Sequence, residues 1–121
     1  MAQDQTKPSE PDINHVRELA RRVMACALSD EYEMRRQRWR DVNELRTPDR
    51  APVWCRPAGS WPEILPEDSL KCTHPVCRSM EYRLRQHLYK DDVGDDHLIP
   101  PWWGVSAVWQ CSQEHAWGVR T

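Results

Sequence analysis

Between Ile13 and Leu28 the apolar residues return every third or fourth position: Ile13, Val16, Leu19, Ala20, Val23, Met24, Ala27 and Leu28. At the helical period this spacing puts them on one face. Whatever the chain folds into must therefore supply a second element to cover that face. Asp12 stands where an N-cap carboxylate would take up free amides of the first turn, and Arg17, Arg21 and Arg22 fall on or near the wet side. Residues 1–12 are polar, carry Pro8 and Pro11, and are expected to form a flexible tail.

Ser29-Asp30 interrupts the repeat. Asp30 and Glu33 have capping-box spacing for a second helix over residues 31–45, closed by Thr47-Pro48 because the residue before proline disfavours helical angles. Its apolar positions are sparse: Met34, Trp39, Val42 and Leu45. Arg35, Arg36, Arg38 and Arg40 make it basic, but Glu31, Glu33, Asp41 and Glu44 interleave with them. A net charge of -2 adds no general attraction to phosphates. This helix is expected to present a solvated face, and no nucleic-acid partner is expected. Residues 13–47 thus read as a helical N-terminal extension.

Residues 51–56 (A-P-V-W-C-R) form a short run of β-formers and predict a strand. Residues 61–65 suit a single helical turn. A third helix is predicted over residues 75–89, opened by Pro75, with Val76, Met80, Leu84 and Leu88 as its ridge. Residues 90–96 read as a wet acidic turn around Gly94. Residues 97–110 are strand-like but broken by Pro100-Pro101 and Gly104, which leaves 105–109 as the better strand. The order helix, helix, strand, helix, strand predicts an α/β fold with a parallel sheet. Two strands do not complete such a sheet, so the chain reads as part of one.

The apolar fraction is 39% and the charged fraction 30%. No run of about 18 apolar residues occurs, so no membrane span is expected, and the polar N-terminus lacks a signal peptide. The expected location is the cytoplasm. The five cysteines, Cys26, Cys55, Cys72, Cys77 and Cys111, are odd in number and scattered, which argues for reduced thiols over a disulfide framework.

The stretch from Pro52 to Glu67 is P-V-W-C-R-P-A-G-S-W-P-E-I-L-P-E. It resembles the first signature of the uroporphyrinogen decarboxylase-like superfamily, which includes cobalamin-dependent methyltransferases. The resemblance is carried by Pro52, Trp54, Arg56, Ala58 and Gly59, then Trp61, Pro62 and Glu63, and more loosely by residues 95–103. The family's second arginine stands here as Ser60 and its glutamine as Pro57. The resemblance implies an N-terminal fragment of a (β/α)8 TIM barrel preceded by two helices, with residues 48–121 holding its first strands and helix. It implies a lyase or methyl-transfer parent, inactive as this piece alone because a full barrel takes about 250 residues. It also implies a small-molecule carboxylate substrate met by Arg56, with Trp54, Ala58 and Gly59 around it. A guanidinium suits that role because its fork matches a carboxylate bidentately. No cofactor and no catalytic residue are assigned within this chain.

Cys72-Thr73-His74-Pro75-Val76-Cys77 puts three soft-metal ligands in six residues. The spacing is not that of a standard zinc knuckle, and no metal site is expected. The reading of a different class is a small self-contained helical interaction module, in which Cys72, His74 and Cys77 are the place a metal staple would form.

Overall fold

The computed structural model describes residues 7–105. Four helices follow one another: α1 (Glu10–Ala27), α2 (Asp30–Asn43), the single turn α3 (Trp61–Ile64) and α4 (Pro75–Val93). A 3-10 turn, Glu67–Ser69, precedes α4. No β-strand occurs among the described residues. The expected α/β fold, the start of a (β/α)8 barrel, is therefore overturned: this is a helical chain. Residues 51–56 are extended, but their backbone is held by Asp95, Asp96 and Lys90 instead of a neighbouring strand. Of the second expected strand, Val105 is in no ladder and residues 106–109 lie outside the described residues.

The apolar face of α1 meets α4. Val16, Leu19, Val23 and Ala27 are buried with Cys77 and Leu84 of α4, Tyr32 of α2, Cys72 and Ile99. Burying each of the larger aliphatic side chains contributes about 1.5–3 kcal/mol, so this seam supplies most of the apolar stabilisation.

Both first caps are serines, not the aspartates beside them. Ser9 Oγ accepts from the Asp12 amide, and Ser29 Oγ from the Tyr32 amide, each at 3.3 Å. Asp12 is released for a longer reach. Its buried carboxylate accepts from the His74 amide at 2.8 Å and from the Thr73 amide and hydroxyl at 3.2 Å. Those bonds, the His74 amide foremost, hold the Asp12 carboxyl below its ordinary value despite its burial. The start of α4 is thus tied to the start of α1.

At the far end α4 runs to Val93 and stops at Gly94, whose φ of +73° is the left-handed conformation glycine adopts without steric cost. α2 ends at Asn43, two residues short of the expected limit, and Leu45 lies beyond it, almost fully exposed at a φ of +57°.

Candidate functional site

The site begins with the way residues 51–56 are fixed. Asp96 is fully buried. Its carboxylate accepts from Arg50 at 2.6 and 2.9 Å, from Arg38 at 3.0 Å and from the Val53 amide at 2.8 Å. Its own amide donates to the Val53 carbonyl at 2.7 Å. Asp95 accepts from the Cys55 amide at 2.9 Å, and Lys90 Nζ reaches the Cys55 carbonyl at 2.6 Å and Asp95 at 3.3 Å. Burial would raise the Asp96 carboxyl, but Arg50, the Val53 amide and Arg38 outweigh it and hold it below its usual range. The expected wet turn is therefore, at Asp95 and Asp96, an ionic hub.

α2 docks on the same hub through polar contacts. Trp39 Nε1 donates to the Asp96 carbonyl at 2.7 Å, and the Tyr32 hydroxyl to the His97 carbonyl at 3.0 Å. Arg35, expected on a solvated face, is buried and bridges Glu31 at 2.7 Å and Asp91 at 3.1 Å. This explains how a helix with so few apolar positions is held. Its arginines pair with carboxylates at Glu31, Glu33, Asp49, Asp91 and Asp96.

In an extended segment, residues two apart share a side. Trp54 and Arg56 accordingly lie together, with the Arg56 guanidinium 3.9 Å from the Trp54 ring centroid. His97 stacks on Trp54 with centroids 5.9 Å apart, and His87 on His97 at 5.6 Å, their nitrogens Nε2 and Nδ1 3.4 Å apart. The result is a column of imidazole, imidazole, indole and guanidinium. Burial, then Lys90 and His87, push the His97 imidazole down to about 4. Burial, then Arg83 and Lys90, lower His87. His97 is thus uncharged at neutral pH, and the positive charge of the column resides on Arg56.

Trp54, Arg56, Pro57, Ala58, Trp61, Gln86, His87, Lys90 and His97 line one open cleft of about 300 Å³. Three of the four residues expected at the substrate, Trp54, Arg56 and Ala58, are brought together there. Gly59 is outside the lining, and a side chain built on it would meet open space. The two cations of the cleft differ. Lys90 is nearly buried and committed to Cys55 and Asp95. The Arg56 guanidinium is exposed and makes no hydrogen bond or ion pair among the described residues. Its stacking on Trp54 occupies a face of the guanidinium and leaves the N–H edge for a ligand. A second hollow of about 170 Å³, lined by Met24, Leu84, Ile99, Pro101 and Trp103 among others, shares only His87 with the first. It offers no charged group to orient a ligand.

Cys72 and Cys77 lie in the apolar core, and His74 is the N-cap residue of α4. No group of three or more candidate ligands suited to a metal occurs among the described residues. Burial first, then Glu81, pushes the Cys72 thiol up to about 12, and burial also raises Cys77. Both side chains are buried. They serve as core residues. No helix among the described residues is long and apolar enough to cross a membrane.

Family models, curated proteins and solved structures give no match to this chain.

Proposed function

We propose that the chain binds a small-molecule carboxylate at Arg56, as the helical N-terminal portion of a uroporphyrinogen decarboxylase-like protein, and that it turns over no substrate alone. The observation that supports this reading is the unpaired Arg56 guanidinium, held against Trp54 at the mouth of a cleft. A charged group without a protein partner is suited to a ligand of opposite charge. The stack fixes its orientation in advance, which lowers the ordering cost of binding. The resemblance of residues 52–67 to the family's first signature supplies the chemical class, a carboxylate.

The test is a calorimetric or NMR titration with benzoate as the carboxylate probe. Arg56→Ala is expected to weaken binding by roughly ten- to a hundredfold, because a charge-assisted hydrogen bond contributes about 1.5–3 kcal/mol. Arg56→Lys should restore little, since an ammonium lacks the planar fork. Unchanged affinity in Arg56→Ala, or a lower melting temperature with unchanged affinity, overturns the assignment. Turnover of uroporphyrinogen by the purified chain above background overturns the expectation of inactivity.

A second reading, a small helical interaction module, is favoured by the core that α1, α2 and α4 share.

A further inference from the structure

The extended run at residues 51–56 divides its backbone groups between two edges. Along such a chain successive residues direct their N–H and C=O groups to opposite sides. Val53 and Cys55 spend all four of theirs inward, on Asp96, Asp95 and Lys90. The outward edge therefore carries the Pro52 carbonyl, the Trp54 amide and carbonyl, and the Arg56 amide. None of these four has a partner among the described residues. Two groups that would complete the edge are missing. Pro52 has no N–H, and the Arg56 carbonyl accepts from the Ala58 amide at 2.8 Å.

This edge is its own complement. Place a second copy antiparallel to the first, with the two Trp54 residues opposite each other across a two-fold axis. The Trp54 amide of each then meets the Trp54 carbonyl of the other. Each Arg56 amide meets the Pro52 carbonyl of the partner. The absent Pro52 donor falls opposite the Arg56 carbonyl that is already occupied, so no group on either edge is left unpaired. A shift by two residues would break that match. Val53 and Trp54 are 54% and 46% exposed and Cys55 is exposed.

We propose that this chain self-associates through antiparallel pairing of residues 51–56 about Trp54. A two-fold contact uses the same patch on both copies, and an unpaired extended edge is a template for strand addition. The hydrogen bonds of this contact come from the backbone alone, whereas the ligand reading at Arg56 rests on its side chain. It is small beside the ~1,200 Å² of a stable interface, so the dimer is weak, with a Kd on the order of 0.1 mM.

In the proposed register Val53 faces Cys55 of the second copy as a pair without direct hydrogen bonds, with Cα atoms about 4.5 Å apart, which is within disulfide reach. The experiment is mild oxidation of Val53→Cys followed by peptide mapping, alongside sedimentation velocity of the unaltered chain from about 10 μM to about 1 mM. A covalent dimer joined between positions 53 and 55 is expected, absent when Cys55→Ser is added. The sedimentation coefficient is expected to rise with concentration. Trp54→Pro, which removes the central donor from both copies, should abolish the rise. If that variant fails to fold, the cross-link decides. A sedimentation coefficient constant over the range, no 53–55 linkage, or linkage of position 53 to Cys111 of the same chain overturns the proposal.

Discussion

Replacing Asp96 by alanine removes the anion on which α2, Arg50 and residues 53–55 converge. The carboxylate is fully buried and accepts four hydrogen bonds, three from guanidinium groups and one from an amide. Removing one partner of a buried charge cluster typically costs about 3–5 kcal/mol. The lower end applies, because Arg38 keeps Asp49 at 2.7 and 2.8 Å and half-exposed Arg50 can return to water. The Val53 amide is left without its acceptor, within that range. Against a total of about 5–15 kcal/mol for a domain, a loss of about 3 kcal/mol is large. With a urea slope of about 1.5 kcal/mol/M, it lowers the unfolding midpoint by roughly 2 M. The assay is urea unfolding followed by tryptophan fluorescence. A midpoint lowered by less than about 0.5 M at unchanged slope would refute the hub. The acid limb adds a second check. The folded Asp96 carboxyl lies below its unfolded value of about 3.9. Its contribution is therefore present above that value and is lost as pH falls through the folded one. The stability gap between the unaltered chain and Asp96→Ala should narrow below about pH 4.

Two further outcomes are expected. His97, held at about 4, binds its proton later in the folded chain than in the unfolded one. The unfolded state therefore holds more protons between that value and about 6.5, so stability rises with pH across this window and is lost as the solution is acidified. An NMR titration of the His97 ring with a midpoint near 6.5 would contradict the buried column. Gly94→Ala places a side chain at a left-handed position and should cost about 1 kcal/mol, read as a lower melting temperature. An unchanged melting temperature would mean that α4 does not need that conformation.

The helices were legible because their signals are local. The repeat of α1, Pro75 at the start of α4 and the single turn of α3 all appear in the sequence, with limits moved by a few residues. The strand expected at residues 51–56 is not formed. The run of β-formers is local, but nothing local says that a pair of aspartates, not a neighbouring strand, will take up its amides. Asp95 and Asp96 looked like turn residues because single-sequence reasoning assigns consecutive acids to water. The signal that opposes this is the number of arginines upstream that need fixed partners. At the candidate site, Arg56, Trp54 and Ala58 stood out through their motif. His87, Lys90 and His97 did not, because they reach the cleft from α4 and the segment after it.

The hub also dictates an order of assembly during synthesis. The hydrogen bonds that tie Arg50, Val53 and the Cys55 amide to Asp95 and Asp96 cross 40–46 residues of sequence, and those from Arg38 and Trp39 to Asp96 cross 58 and 57. A ribosome adding about 5–20 residues per second delivers Asp96 several seconds after Cys55. Throughout that interval α2 has few apolar contacts to hold it, and the indole of Trp54 waits beside an unclosed chain. Once Asp96 arrives, several segments close on it together.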